Sequence, residues 1–412
     1  MKFIYHIFIT CYALAIRFAS IWNEKAEQWY RGRKDLFTEF QKKIANDNII
    51  WMHCSSAGEF EQGKPILKKL REQYPHYKLL VSFFSPSGFN VAKGNNLADY
   101  ICYIPLDTRS NAEQFLKTVN PQLVIFVKYE FWYHHLKAIH NKKIPLLLIS
   151  AIFREQQLFF KWYGSFYFTM LRFFSWIFVQ DEQSYNLLRK NKISNCSIGG
   201  DTRFDRVISI ADTIKEVPFI KEFIGHNKVI VAGSTWSNDE DILSEAITGE
   251  NLKIIIAPHE VDKAHIENIL KQFPNAITYS VFKENPGNSF TTLIIDSIGL
   301  LSQLYYYATI TYVGGGFNKS GIHNTLEAAV YGKPVIFGPN YQKFKEAEDL
   351  MSANAAFSIK NKQELHEVIE RLINDSVTLQ QCSKAAKNYV YNSSGATEKI
   401  MAYIDKNRLL TT

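Results

Sequence analysis

Short apolar, β-branched or aromatic runs alternate along the chain with longer stretches of helical spacing. In the first half the runs fall at 49–53, 79–84, 101–104, 123–127, 146–150, 176–179 and 196–198. In the second they fall at 229–232, 253–257, 277–280, 293–295, 310–313 and 335–337. Runs this short and this uniformly apolar predict strands buried on both faces. Between them, segments such as 63–73 and 262–272 repeat apolar residues at the helical period. This alternation predicts an α/β protein, and two series predict two doubly wound, Rossmann-like domains. The seam falls within 205–228, a stretch of mixed charge with Pro218, Gly225 and no strong strand. The expected division is 23–210 and 211–385, followed by C-terminal helices over 386–412 with a break near 393–395.

Residues 1–22 stand apart. Positions 3–16 are almost continuously apolar, broken by His6, and Arg17 interrupts the run before a second apolar patch. A bilayer span takes about 20 apolar residues, so the run is short for one. It lacks the flanks of a cleaved signal peptide. The expectation is a membrane-associating helix in the bilayer interface, with Lys25, Arg31, Arg33 and Lys34 near the headgroups. A buried core helix is the alternative.

The 412 residues are 46% hydrophobic and 21% charged, a globular composition. The formal charge of +7 fits either a basic soluble surface or attraction to anionic lipid and acidic substrates. Five cysteines without a C-x-x-C pair exclude a disulfide scaffold and a cysteine zinc site. No P-loop or H-E-x-x-H pattern is present. Residues 141–175 hold five basic residues, one acid and ten aromatics. Phe159, Phe160, Trp162, Tyr163, Phe166 and Phe168 are either a core helix pair or an interfacial surface, with Lys161 and Arg172 meeting phosphates.

In open parallel sheets ligands bind beyond the carboxyl ends of the strands, so the residues that follow the strand runs matter most. The run 49–53 leads into His53-Cys54-Ser55-Ser56-Ala57-Gly58-Glu59, where Glu59 stands in a first helical turn. It can act as a general base or merely favour the helix dipole. After 123–127 comes Lys128-Tyr129-Glu130-Phe131-Trp132, a second acid at an equivalent position. Gly199-Gly200-Asp201-Thr202-Arg203-Phe204-Asp205 ends the first series. Arg203 can reach a phosphate or carboxylate, or pair with Asp201 or Asp205. In the second half, Val313-Gly314-Gly315-Gly316-Phe317 precedes Gly321-Ile322-His323-Asn324-Thr325-Leu326-Glu327. Asn324 and Glu327 form a capping-box-like pair, and free N–H groups at that helix start offer a phosphate site.

Ser55-Ser56-Ala57-Gly58-Glu59, Tyr129-Glu130-Phe131-Trp132, the segment Gly200 to Asp205, Ala257-Pro258-His259 and His323-Asn324-Thr325-Leu326-Glu327 occur in one order and spacing. In that order the chain resembles the 3-deoxy-D-manno-octulosonic acid (Kdo) transferases over nearly its whole length. The resemblance implies a GT-B architecture, with two Rossmann-like domains facing a central cleft. It implies inverting transfer of Kdo from CMP-Kdo to a lipid A precursor, lipid IVA, in lipopolysaccharide core biosynthesis, on the cytoplasmic face of a Gram-negative inner membrane. Glu59 matches the family's general base. Glu130 and Arg203 match transition-state stabilising positions. Pro258, His259, Ile298, Gly299, Leu300, Asn324, Thr325, Leu326 and Glu327 match CMP-contacting segments. No metal, no cofactor and no nucleic acid is expected; the partners are donor, acceptor lipid and an anionic membrane surface.

Three positions depart from the family pattern. His259 replaces an arginine, Arg203 replaces a lysine, and Trp236 replaces a histidine after Ser234-Thr235. Two rival readings are a GT-B nucleotide-sugar epimerase and a non-catalytic nucleotide- or lipid-binding module.

Overall fold

The computed structural model describes residues 1–44, 47–247, 252–287 and 290–411. They group into two compact units, one of residues 1–206 and 394–412, the other of 207–393. The first unit is built on β1 (Ile49–Cys54), β2 (Lys78–Phe83), β3 (Tyr100–Tyr103), β4 (Pro121–Val127), β5 (Leu146–Ala151), β6 (Trp176–Val179) and β7 (Cys196–Ile198). These form a seven-stranded parallel sheet in the order β3-β2-β1-β4-β5-β6-β7. The second unit holds β8 (Lys228–Thr235), β9 (Leu252–Pro258), β10 (Ala276–Thr278), β11 (Thr292–Ile294), β12 (Ile310–Val313), β13 (Val335–Phe337) and β14 (Ala356–Ser358). Its order is β10-β11-β9-β8-β12-β13-β14, again parallel.

The α/β class and the two parallel sheets follow the expectation. All six residues of β1 are buried, as are those of β5, which is why these runs are apolar without alternation. Strand order reverses between β1 and β4 in the first sheet and between β8 and β12 in the second. These are the topological switch points, where an open sheet offers a crevice at its carboxyl edge.

Four helices open the chain: α1 (Lys2–Ala19), α2 (Glu24–Arg31), α3 (Leu36–Lys43) and, after β1, α4 (Ala57–Gln73). Helix α1 has 18 residues and is long and apolar enough to cross a membrane by length and composition. Ile9 is its one buried residue among those described, while Phe3, Ile4, Phe8, Leu14 and Phe18 are exposed. A core helix buries its apolar side, so that alternative does not fit α1. The helix is nonetheless docked. Tyr5 donates its hydroxyl hydrogen to the buried Asp107, accepts from the Tyr133 amide at 3.3 Å, and its ring lies 5.4 Å from Phe166.

The aromatic stretch 141–175 is not a helix pair. It comprises β5, a single 3-10 turn at Leu158–Phe160 and the helix Ser165–Leu171. Phe159, Phe160, Phe166 and Phe168 pack on the first unit's core, leaving Trp162 and Tyr163 exposed. The crowding is mostly core filling, because Phe131 and Phe153 offer edges for these rings.

The C-terminal segment expected as one set of helices is divided. Helix Ser376–Asn392 lies in the second unit, whereas Ala396–Lys406 belongs to the first. There Ile400, Met401 and Ile404 join the core and Tyr403 stacks on Trp176 at 4.9 Å. Asp205 caps the start of this helix, accepting from the amides of Gly395 and Thr397 at 2.6 Å each.

Candidate active site

At the first switch point β1 runs into the turn Ser55–Ser56 and then α4. Glu59, the third residue of α4, folds back on its own N-cap. Its Oε2 accepts from the Ser56 amide at 3.1 Å and from the Ser56 hydroxyl. The capping reading of Glu59 is therefore what the structure displays. It does not exclude the base reading. The capping bonds occupy Oε2 and leave Oε1 without a hydrogen-bond partner among the described residues, so the helix start aims the carboxylate.

Glu130 follows β4, the neighbour of β1 across the switch point. It is 6% exposed. Its Oε2 accepts from Trp132 Nε1 at 2.7 Å and lies 3.1 Å from His53 Nε2. His53, the fifth residue of β1, is fully buried, with Nδ1 2.8 Å from Ser82 Oγ. Trp51 Nε1 donates to that Oγ at 2.7 Å. Nδ1 also lies 3.1 Å from the Ser82 carbonyl oxygen; with hydrogen on Nε2, Trp51 donates to Ser82, Ser82 to His53, and His53 to Glu130. Every donor then points toward the carboxylate. Burial, followed by the nearby Glu59 and Glu130 charges, pushes the Cys54 thiol well above its ordinary range, so both acids act on one neighbourhood. Lys128, where the chain leaves β4, is left-handed at φ 66°. A non-glycine residue holds that conformation at some cost.

Arg203 does not stand free. Its Nε donates to Asp201 Oδ2 at 2.8 Å, Nη2 lies 2.7 Å from the same oxygen, and its amide donates to Oδ1. The pairing with Asp201 foreseen for a surface arginine is thus present, while Asp205 caps the last helix. The segment is nevertheless brought to α4. Thr202 Oγ1 donates to the Gln62 carbonyl at 2.7 Å and Arg206 reaches Glu61 at 3.1 Å, within a turn of Glu59.

In the second unit the turn after β8 and the glycine loop after β12 meet at the other switch point. Asp239 joins them: Oδ1 accepts from Tyr312 Oη at 2.8 Å, and Oδ2 from the amides of Gly315 and Trp236 at 2.9 and 3.0 Å. A Cβ on Gly314 would lie 2.3 Å from the Ser234 carbonyl, and Gly315 has φ 88°; only glycine fits both demands. Pro258 ends β9, and His259 follows it, its amide bonded to Thr235 O at 2.9 Å. The His259 ring lies between Trp236 (4.6 Å) and His323 (4.5 Å), stacked on both. Trp236 Nε1 donates to His323 Nε2 at 3.3 Å.

Ile298 and Gly299 are exposed in the loop after β11, and Leu300 precedes the short helix Leu301–Leu304. They share the carboxyl edge of the sheet with Pro258 and His259, since β11 pairs with β9. Asn324 Nδ2 donates to Glu327 Oε1 at 3.0 Å, and Asn324 Oδ1 accepts from Leu326 N. The helix that begins here, Leu326–Ala329, has four residues, so its macrodipole is small and a phosphate would rely on individual N–H groups. Thr325 Oγ1 is buried without a partner among the described residues. Glu260, Asp262 and His265 bring ligand atoms within 4.8 Å of one another and could hold an ion, although His265 Nε2 is already bonded to Glu240 at 2.9 Å.

Residues 25–206 match the family model described as 3-deoxy-D-manno-octulosonic-acid transferase. A 3-deoxy-D-manno-octulosonic acid transferase of Rickettsia felis is 27% identical over 87% of this chain and 79% of its own length. A bifunctional glycosyltransferase/methyltransferase of Fusobacterium nucleatum is 25% identical over 89% of this chain, which spans 56% of that protein. The chain is a relative of the Kdo transferases. As such it is a glycosyltransferase. Its fold is GT-B: the UDP-GlcNAc 2-epimerase of Neisseria meningitidis superposes with a TM-score of 0.62 at 17% identity, covering 87% of this chain and all of the other.

Two departures of this Kdo-transferase relative from the family pattern prove to be neighbours. Trp236 and His259 stack on each other, so a flat aromatic pair stands where the pattern has a histidine and an arginine. Sequence reasoning includes His53 in the motif before Glu59 but gives it no role, and it does not single out Asp239. The available signals were a histidine inside an otherwise apolar strand, and an acid three residues beyond the end of β8's turn.

Burial, and then the adjoining His259, lowers the pKa of His323. The neutral form also keeps Nε2 free to accept from Trp236. A lowered histidine contributes stability that is complete above its unfolded value of about 6.5 and is lost as pH falls toward the folded value. His323→Gln should therefore flatten the decline in urea stability of the protein between pH 7 and pH 5. An unchanged slope in that variant would refute the assignment.

Proposed function

We propose that this glycosyltransferase moves Kdo from CMP-Kdo onto a lipid A precursor such as lipid IVA, at the cytoplasmic face of a Gram-negative inner membrane. The observation that carries the reading is the pair of oriented carboxylates, Glu59 and Glu130, which follow the adjacent strands β1 and β4 at one switch point, within the segment that matches the Kdo-transferase model.

In the proposed reaction Glu59 Oε1 takes the proton from the acceptor hydroxyl. The resulting alkoxide attacks the anomeric carbon of Kdo as its bond to the CMP phosphate breaks, so configuration inverts and CMP leaves with the bonding pair. Glu130, held by His53 and Trp132, presents a fixed negative charge to the oxocarbenium character of that centre. Arg203 supplies positive charge for the Kdo carboxylate or the leaving phosphate once Asp201 shares it. In the second unit the Trp236–His259–His323 stack offers a face for a pyrimidine ring. Asn324, Thr325, Leu326 and Glu327 offer polar groups for ribose and phosphate, and Pro258 with Ile298, Gly299 and Leu300 would complete the donor contacts.

Incubation with CMP-Kdo and tetra-acylated lipid A precursor, followed by mass spectrometry of the lipid, tests the reading directly. The expected product is the precursor plus Kdo, with stoichiometric CMP. Consumption of donor without any lipid product would overturn it. The membrane part is tested on the exposed side of α1. Burying one large apolar side chain is worth about 1.5–3 kcal/mol, so Phe3→Glu, Phe8→Glu and Leu14→Glu together should lower the membrane-bound fraction by at least ~100-fold. Unaltered sedimentation with membranes would place the anchor elsewhere.

A further inference from the structure

Away from the candidate active site, a cavity of about 400 Å³ lies among α1, the segment 29–37 and Pro105–Leu106. Its charged lining is Arg17, Arg33 and Lys34, and no carboxylate lines it among the described residues. Arg33 is the unusual member. Its Nε, Nη1 and Nη2 donate to the carbonyls of Ile104 (2.9 Å), Trp29 (3.0 Å) and Phe84 (2.9 Å). Its guanidinium lies 3.8 Å from the centre of the Trp29 ring and 4.8 Å from that of Tyr103.

A guanidinium has five N–H donors, so two remain without an acceptor among the described residues. No acid lies within ion-pair distance of Arg33 among the described residues. Burial pulls its pKa down to about 9, opposed by Tyr103 and Tyr12. Arg33 is half-buried, and its charge has carbonyls and ring faces in place of a counter-ion. A second, independent sign lies beside it. Trp29, which lines the same cavity, has a buried indole N–H with no acceptor among the described residues. Arg17 lies 5.9 Å over Tyr30, and neither Arg17 nor Lys34 makes an ion pair among the described residues.

The missing occupant must be anionic and rich in acceptors, and it must tolerate the apolar wall of Leu14, Trp29 and Phe37. Leu14 both lines the cavity and is 59% exposed. From it the exposed apolar surface continues to Phe18, Ile21 and Trp22, so an acyl chain leaving the cavity meets apolar surface on α1. We infer that this cavity binds the phosphate headgroup of an anionic bilayer phospholipid, with Arg17, Arg33 and Lys34 about the phosphate and Trp29 Nε1–H as a further donor. Membrane association then becomes headgroup-specific, and the bound phosphate ties α1 to the segment that carries α2 and α3.

The inference rests on the membrane-surface part of the proposed function, and flotation of the full chain separates the two. Phosphatidylcholine vesicles report on α1 alone; vesicles with added phosphatidylglycerol report on the cavity. The wild type should float with both, and more strongly with phosphatidylglycerol. Each cation near an anionic surface contributes about fivefold, so Arg17→Gln with Lys34→Gln should lower the phosphatidylglycerol partition about 30-fold and leave phosphatidylcholine flotation unchanged. Lys263→Gln with Lys384→Gln, two exposed cations of the other unit, is the charge-matched control. Trp29→Phe keeps the ring but removes the donor, and should weaken binding of monomeric dihexanoyl phosphatidylglycerol about fivefold in an uncharged detergent. Arg33 is spared because it also ties three chain segments. Flotation without a phosphatidylglycerol increment, an equal loss in the control, or displacement of the short-chain lipid by equimolar inorganic phosphate would each overturn the lipid site. Failure to float with either vesicle would overturn the membrane reading as well.

Discussion

Glu59→Gln is expected to lower kcat for Kdo transfer by ~10²–10⁴-fold, the usual contribution of a positioned general base, with CMP-Kdo affinity within about twofold of wild type. The expectation follows from the two carboxylate oxygens having different duties. Oε2 is spent on the Ser56 amide and hydroxyl, and Oε1 is left for the acceptor. Glutamine can still cap the helix through its amide oxygen, so stability should change by no more than about 0.5 kcal/mol. It cannot take a proton at neutral pH. Single-turnover transfer with saturating donor separates the two duties. Near-normal turnover in this variant would remove Glu59 from the chemistry and leave it a cap.

Glu130→Leu is expected to cost about 2–6 kcal/mol of stability, because it leaves two donors, Trp132 Nε1–H and His53 Nε2–H, without their acceptor, at about 1–3 kcal/mol each. Trp132 would lose its acceptor at 2.7 Å and His53 Nε2 its partner at 3.1 Å, both in places that water reaches poorly. Glu130→Gln retains one carbonyl oxygen for Trp132 and should cost only about 1–3 kcal/mol, yet it loses the fixed charge and should still depress kcat. Urea unfolding gives the first quantity and single-turnover kinetics the second. If Glu130→Leu unfolds within about 1 kcal/mol of wild type, the row from Trp51 to Glu130 is not a coupled network.

The same residues show how far the chain could be read without its structure. Every strand but β14 was visible as an apolar run, because strands buried on both faces must be apolar at successive positions. β14 escaped because its residues, Ala356, Phe357 and Ser358, include no β-branched apolar side chain and two of them are half-buried. The motifs at the strand ends were visible too, since the fold requires ligand-binding residues to follow strands. Their partnerships were not. His53 sits inside β1 and looks like a polar interruption, until the β1–β2 pairing sets it against Ser82 and the β1–β4 pairing brings in Glu130. Asp239 looks like any first-turn acid, until the β8–β12 pairing brings the Gly315 amide to it.

What the sequence determined by itself is local and periodic: two parallel sheets, the acids at their carboxyl ends, and an apolar N-terminal helix. These follow from rules that act within a few residues. What the tertiary structure alone decided depends on positions far apart in the chain. It returned residues 394–412 to the first unit, where Asp205 caps them. It turned an aromatic stretch that could have faced a bilayer into core packing on Phe131 and Phe153. It set Trp236 against His259, and it half-buried Arg33 with no carboxylate in ion-pair reach among the described residues. Side-chain charge is written in sequence, but burial and pairing arise only when strands take their order, and burial and pairing decide what a charge can do.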